Sequence, residues 1–107
     1  MSELSGLALI RLAAAKRIIY SQHAVDEMLI EDLPVSPDEV RLAIFHGEMV
    51  EEYPEDKRGH SYLLTGKGSG RIIHVVCAPK DEYLAIITVY VPSLERWEPG
   101  FRTRRTR

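Results

Sequence analysis

The sequence of 107 residues contains one cysteine and no apolar run long enough to cross a membrane. A lone Cys77 excludes a disulfide framework and a thiolate metal cage, and its apolar neighbours predict a buried structural thiol. Arg11 interrupts the apolar stretch near the start, and Glu3 stands where a signal peptide has basic residues. We therefore expect a cytoplasmic protein that has no membrane association.

Motifs for metals and nucleotides are also missing. His23 and Glu27 stand one helical turn apart, but the second histidine of a zinc-protease helix is absent. The glycine-rich stretch 66–70 joins two predicted strands and opens no helix, so it predicts a hairpin turn and no phosphate loop. We expect neither a metal nor a cofactor.

Positive charge is scarce outside the C-terminal end of the chain. The net charge is −2, yet residues 96–107 contain five arginines and one glutamate, a net charge of +4, which leaves −6 on residues 1–95. The length fits a single α+β domain at 1–100, followed by a basic, flexible tail at 101–107. Such a tail suits phosphate binding, and a solvated tail with no function is the alternative.

Helices are predicted in the first half of the chain. Apolar spacing predicts one over 4–16, capped by Ser5 or Ser2, and another over 22–31. The clearest start signal is a capping box in which Ser36 is the cap, Pro37 follows, and Glu39 lies three residues after the cap. This third helix is expected to stop at Gly47, in the left-handed conformation that favours glycine.

Four strands are predicted after the helices, at 48–53, 60–65, 71–78 and 83–91. Their connections of six, five and four residues suit hairpins and are too short for a crossover helix, which predicts a four-stranded antiparallel meander. Two to three helices before the strands predict an α+β fold with the helices on one face. A further short strand at 18–20 would make the last strand central by pairing along its free side.

Strand alternation predicts two polar clusters on this sheet. Pairing Cys77 with Leu84 places Arg71 opposite Tyr90. Pairing Thr65 with Arg71 brings three aromatic side chains onto one face, namely His60, Tyr62 and His74.

The polar residues suit metal-free cleavage of RNA. That reaction needs a base for the 2′-hydroxyl, an acid for the 5′-oxygen and a cation for the phosphate. We assign these roles to His23, Tyr90 and Arg96. Supporting and binding residues are expected to be Arg71, His74, Arg102, Arg104 and Arg105, with Trp97 as a surface for base stacking.

Structural roles explain the same residues one at a time. His23 is then a surface residue, and His74 is a hydrogen-bonded core residue. Tyr90 anchors the end of a strand, while Arg96 and Trp97 close the sheet by packing.

Two motifs make the chain resemble a known family of small bacterial proteins. The motifs are Tyr-Ser-x-His-Ala at 20–24 and Val-Tyr-x-Pro at 89–92 followed by Arg96-Trp97, supported by segments 47–54 and 71–76. Together they resemble domain of unknown function family 4258 over about residues 18 to 105. The resemblance implies a RelE-like ribonuclease fold and a toxin of a type II toxin–antitoxin pair, often with a small zinc-finger antitoxin. It carries over His23, Tyr90, Arg96 and Trp97 as motif positions.

The leading hypothesis is a toxin-like, metal-independent endoribonuclease that acts on RNA and is held inactive by a small antitoxin. The alternative is a non-catalytic module on the same fold that binds protein or RNA through its sheet edge and basic tail. A third hypothesis is an operon regulator with no RNA role.

Overall fold

A computed structural model describes residues 5–106 of the chain. Its helices and strands follow in the order α1 (Gly6–Lys16), β1 (Ile18–Tyr20), α2 (Gln22–Ile30), α3 (Pro37–His46), β2 (Glu48–Tyr53), β3 (Ser61–Lys67), β4 (Ile72–Pro79) and β5 (Leu84–Tyr90). The first predicted helix included residue 4 and its alternative cap Ser2, which both lie outside the described residues.

The five strands form one mixed sheet in the order β1-β5-β4-β3-β2. Strands β2 to β5 pair antiparallel in chain order, whereas β1 pairs parallel with β5. The α+β class is confirmed, but the sheet is not the predicted four-stranded antiparallel meander. The predicted further strand at 18–20 is confirmed, and its parallel pairing with β5 is what makes the sheet mixed.

Serine caps begin all three helices. Oγ of Ser5 accepts a hydrogen bond from the backbone N–H of Ala8 at 3.1 Å, and Oγ of Ser21 accepts one from Ala24 at 3.0 Å. In α3 the reciprocal bonds of the capping box are both 3.2 Å, from the Glu39 N–H to Ser36 Oγ and from the Ser36 N–H to a Glu39 carboxylate oxygen. The predicted capping box is confirmed.

Gly47 ends α3 for a reason other than the predicted one. Its backbone is extended, with φ −85° and ψ −170°, so the expected left-handed cap is wrong. A Cβ at this position would lie 2.3 Å from the carbonyl oxygen of Ala43 and 2.4 Å from that of Thr65. Glycine is needed because the helix end and β3 approach each other closely.

The register of the last two hairpins differs from the predicted one. Pro79 pairs with Leu84 at the β4–β5 turn, two residues beyond the predicted pair, and a bulge after Val76 adds one more residue. His74 therefore lies opposite Tyr90, the position predicted for Arg71. The predicted cluster of Arg71 with Tyr90 is therefore wrong.

In the other predicted cluster His60 and Tyr62 do stack, with ring centroids 4.6 Å apart. His74, however, pairs with Thr65 and lies on the opposite face of the sheet.

The helices cover one face of the sheet and the C-terminal segment covers part of the other. Ile73, Val75 and Cys77 on β4 belong to the main core with residues of α1, α2 and α3. The buried thiol predicted for Cys77 is confirmed, and burial raises its pKa to about 12. His74 points to the opposite face and is fully buried there, with Trp97 against it.

Strand β5 is central, as predicted if residues 18–20 paired with it. Because β1 is only three residues long, it leaves the far half of that side uncovered. Helix α2 and its C-cap satisfy the exposed backbone there. Glu27 in α2 accepts a hydrogen bond from the Val89 N–H, and Glu31 at the C-cap accepts one from the Val91 N–H, both at 3.1 Å. This contact fixes α2 beside the end of β5.

Candidate functional site

An open cleft of about 400 Å³ lies where β5 ends beside α2. The chain turns away at Pro92 and returns over the sheet, so residues from three separate segments meet there. The lining residues are Glu27, Tyr90, Val91, Pro92, Ser93, Arg96, Trp97 and Arg104.

The floor of the cleft is a hydrogen-bonded pair of side chains from neighbouring strands. The hydroxyl of Tyr90 lies 3.0 Å from Nδ1 of His74. Nε2 of His74 lies 2.9 Å from the carbonyl oxygen of Phe101. Burial raises the pKa of Tyr90 and lowers the pKa of His74, so both are neutral near pH 7.

Trp97 packs against the side of this hydrogen-bonded pair. Its ring meets the His74 ring edge-on, with centroids 4.6 Å apart and planes at 90°. Arg104 covers the indole, with its guanidinium carbon 4.5 Å from the ring centroid. Trp97 is buried in this arrangement, so the base stacking predicted for it would require Arg104 to move aside.

The wall formed by α2 carries a paired histidine and carboxylate. Nε2 of His23 lies 3.2 Å from Oε1 of Glu27, one helical turn away. The same Glu27 oxygen accepts the hydrogen bond from the Val89 N–H, which orients the carboxylate. His23 is exposed and does not line the cleft itself, so it reaches the cleft through Glu27.

The opposite wall carries an arginine held by β2. Arg104 donates two hydrogen bonds to Glu51, from Nε at 2.7 Å and from Nη2 at 3.0 Å. Glu51 also accepts a bond from the Tyr53 hydroxyl. The arginine bonds hold the pKa of Glu51 below its usual range, while burial and the Glu51 bond raise the pKa of Tyr53 to about 12.

Residues 96–105 form a short hairpin, which we call the C-terminal hairpin. Trp97 and Arg104 make an antiparallel bridge, and the N–H of Glu98 donates to the carbonyl of Thr103 at 2.8 Å. Gly100 and Phe101 at its turn have positive φ values of 91° and 58°. The tail that the sequence predicts to be flexible thus folds back on the sheet through residue 105. Its flexibility stays a prediction. Arg107 lies outside the described residues.

Three arginines of the basic segment already contact carboxylates. The pairs are Arg102 with Glu48, Arg104 with Glu51, and Arg105 with Glu98. Arg96 is exposed at the cleft and also borders a second cavity with Arg104 and Arg105. Among the described residues, no ion pair forms at Arg96.

The structure brings most of the predicted site residues together, but not all of them. Tyr90, Arg96, Trp97 and Arg104 line the cleft, and His74 lies beneath it. Arg71 lies elsewhere, where its guanidinium donates to Glu39 and to the carbonyls of Leu33 and Pro34. Arg102 does not line the cleft, and Arg105 borders only the second cavity.

Sequence reasoning missed Glu27 and Glu51 as site residues. The four-residue spacing to His23 was the signal for Glu27, because side chains four apart on a helix share a face. For Glu51 the signal was an acidic strand in a chain whose only basic block is its C-terminal end.

Two kinds of feature are absent from residues 5–106. No group of three histidine, cysteine or acidic side chains there could hold a metal ion. None of the described helices has the length and apolar character needed to cross a membrane.

Comparison with known proteins gives one match. The family described as Domain of unknown function (DUF4258) matches residues 20–91 of the chain. The matched part includes His23, Glu27 and Tyr90, whereas Arg96, Trp97 and Arg104 lie beyond it. No curated protein and no solved structure matches the chain.

Proposed function

This chain belongs to the DUF4258 family, and from its cleft we propose that it is a toxin-like, metal-independent endoribonuclease of a type II toxin–antitoxin pair. The observation that supports the proposal most is the meeting of three kinds of group at one cleft. These are a carboxylate paired with histidine (Glu27 with His23), a hydroxyl (Tyr90) and cations (Arg96 and Arg104). Such groups support phosphoryl chemistry on RNA without a cofactor.

In the proposed reaction the 2′-hydroxyl attacks the adjacent phosphorus and the 5′-oxygen leaves. A P–O bond forms to the 2′-oxygen while the bond to the 5′-oxygen breaks, which yields a 2′,3′-cyclic phosphate and a free 5′-hydroxyl. The open cleft admits water, from which the leaving oxygen takes its proton. This differs from the acid role that the sequence suggested for Tyr90, because the Tyr90 hydroxyl is already bonded to His74.

We assign the base to the His23–Glu27 pair. Glu27 presents its carboxylate to the cleft, and His23 contacts the same carboxylate at 3.2 Å. A proton taken from the 2′-hydroxyl is then shared by two basic groups. Arg96 supplies positive charge for the phosphate oxygens, since no ion pair within the described residues engages it.

Cleavage of a labelled RNA by the purified protein tests the proposal. We expect His23→Ala to lower the cleavage rate about 100-fold, the usual contribution of a positioned base. His60→Ala is the matched control, because His60 pairs with Glu52 at 2.6 Å on the exposed side of another hairpin. The products of the wild type should carry cyclic phosphates.

The proposed nuclease activity is wrong if RNA stays intact after incubation with the wild type, both in buffer and in a translation extract. An equal loss of activity in His23→Ala and His60→Ala would remove the assigned base.

The alternative function is a non-catalytic module that binds RNA or protein through its basic segment. It predicts binding that weakens steeply with salt and on removal of residues 102–107, with His23 and Tyr90 dispensable. The ion pairs of Arg102, Arg104 and Arg105 count against it, because charges already paired with carboxylates release fewer counterions on binding.

We also propose that a small antitoxin protein, of the zinc-finger type, binds this chain in the cytoplasm. Three large apolar side chains at the end of α2 support a protein partner, since Leu29, Ile30 and Leu33 are 67%, 80% and 72% exposed. Copurification with the product of the adjacent reading frame tests this. Loss of that complex in Ile30→Ser is expected, and an unchanged complex would place the contact elsewhere.

A further inference from the structure

The two contacts of the His74 ring determine where its proton lies. Nε2 is 2.9 Å from the Phe101 carbonyl oxygen, and a carbonyl can only accept a hydrogen bond. Nε2 must therefore carry a hydrogen. A neutral imidazole has only one N–H, so Nδ1 is left bare and can only accept.

Neutrality of the ring follows from its surroundings. His74 is fully buried, between the Tyr90 and Trp97 rings. Desolvation disfavours the charged imidazolium most and lowers the pKa of His74. The hydrogen bond to the Phe101 carbonyl and the Glu51 charge act in the opposite sense, while the Arg104 charge adds to the lowering.

The Tyr90 hydroxyl must then donate to Nδ1 of His74, over their distance of 3.0 Å. A hydroxyl has one hydrogen, so nothing remains to donate into the cleft. Burial raises the pKa of Tyr90, and the bond that the Trp97 indole makes to this hydroxyl acts against the rise. The indole N–H can only donate, so it uses one lone pair of the hydroxyl. The other lone pair is available to the cleft that Tyr90 lines. A ligand beside Tyr90 therefore gains a hydrogen bond only if it brings a donor of its own.

We propose that His74 is a positioning residue that makes Tyr90 a hydrogen-bond acceptor toward the cleft, so that the cleft selects ribose by the donor on its 2′-hydroxyl. The inference rests on the proposed function for the choice of RNA as ligand. Among the backbone groups of RNA and DNA, the 2′-hydroxyl is the donor that only RNA has. The bond to Tyr90 belongs to the bound state before reaction, because the same hydrogen must turn toward Glu27 before the proposed base can take it.

The first experiment reads the tautomer in the unmodified protein. Long-range proton–nitrogen correlation spectra of ¹⁵N-labelled wild type distinguish a protonated from a bare ring nitrogen. We expect Nε2 of His74 protonated and Nδ1 bare near pH 7. A proton on Nδ1 would overturn the inference, because the Tyr90 hydroxyl could then point into the cleft.

The second experiment measures selectivity with three oligonucleotides of one sequence that carry ribose, 2′-deoxyribose or 2′-O-methylribose. The protein carries His23→Ala so that cleavage of the ribose form is slow while binding is measured. The ribose form should bind about fivefold more tightly than either analogue, the value of one hydrogen bond. Equal affinities would overturn the inference.

Two further variants, each combined with His23→Ala, test whether Tyr90 and His74 cause the preference for ribose. Tyr90→Phe removes the acceptor and should reduce the ratio between ribose and 2′-O-methylribose to about one. His74→Phe keeps an aromatic ring against Trp97 but frees the Tyr90 hydroxyl to donate, so the ratio should also fall. If either variant keeps the fivefold preference for ribose over 2′-O-methylribose, the inference is wrong. If His74→Phe does not fold, the His74 tautomer and the Tyr90→Phe variant still test the inference.

This inference and the proposed nuclease can fail separately. Selective binding without cleavage by the wild type would reject the nuclease and keep the acceptor role of Tyr90. Cleavage of RNA with equal affinity for all three oligonucleotides would keep the nuclease and reject the acceptor role.

Discussion

Two arginine–carboxylate pairs of similar geometry differ in burial in this small protein. Glu39 and Arg71 pair at 2.8 Å with side chains that are 5% and 24% exposed. Glu51 and Arg104 pair at 2.7 Å with side chains that are 27% and 55% exposed. Both arginines bind their carboxylate through two nitrogens.

The partners around each pair differ more than the pairs themselves. Glu39 also accepts from the N–H groups of Ser36 and Ser69, and Arg71 also donates to the carbonyls of Leu33 and Pro34. The first pair thus joins the start of α3 to the β3–β4 turn, and we infer that its role is structural. Arg104 instead covers Trp97 at the cleft, where a ligand can compete for it.

Removal of the buried carboxylate should have the largest effect. Glu39→Ala leaves Arg71 without its counter-ion and breaks the capping box, so we expect a loss of about 3 kcal/mol in the free energy of unfolding. Urea denaturation measures it. A loss below about 1 kcal/mol would mean that the buried pair does not differ from an exposed one.

Acid should remove the same stabilisation gradually. The Arg71 bonds, followed by the backbone bonds, lower the pKa of Glu39 from 4.5 to about 2. A lowered folded-state pKa stabilises the protein above the unfolded value, and that stabilisation is lost as the pH falls from about 4.5 toward 2. We expect the stability gap between wild type and Glu39→Gln to narrow by about 2 kcal/mol over this range. A difference in stability between the two proteins that does not change with pH would show that the lowered pKa of Glu39 does not stabilise the fold.

Breaking the pair of Glu51 and Arg104 at the cleft should change RNA binding more than it changes the stability of the fold. Glu51→Gln frees Arg104 and should cost about 1 kcal/mol of stability. RNA binding should strengthen, and the dependence of log Kd on log salt should steepen by about 0.7, the value of one more phosphate contact. Glu52→Gln is the control, since Glu52 pairs with His60 away from the cleft. An unchanged salt slope would show that Arg104 does not contact RNA.

The smallest effect is expected at the pair of Arg105 and Glu98, whose side chains are both well exposed. Glu98→Gln should change the free energy of unfolding by less than about 0.5 kcal/mol. A loss as large as that expected for Glu51→Gln would show that burial does not rank these pairs.

Local signals in the sequence predicted the helices well. Ser21 and Ser36 begin α2 and α3, and Glu39 completes the capping box, because a cap depends on residues within four positions of one another. The strands were also found to within one or two residues.

The arrangement of the site could be predicted only in part. Tyr90, Arg96 and Trp97 follow one another along the chain, so their proximity was visible in the sequence. The pairing of His74 with Tyr90 depends on a turn and a bulge that leave no residue pattern, and the prediction put Arg71 there instead. The contacts of Glu27 with Val89 and of Glu51 with Arg104 join distant segments, which only the fold brings together.

The carboxylates of α2 that bond to β5 have a consequence for self-association. An uncovered strand edge offers its N–H groups to strands of other molecules, and here Glu27 and Glu31 occupy those of Val89 and Val91. Self-association and the proposed chemistry therefore meet at Glu27, because the residue proposed to share the base also occupies one of these backbone N–H groups. Glu27→Gln keeps an acceptor oxygen for the Val89 N–H and loses the charge, so it is the substitution that separates the two roles.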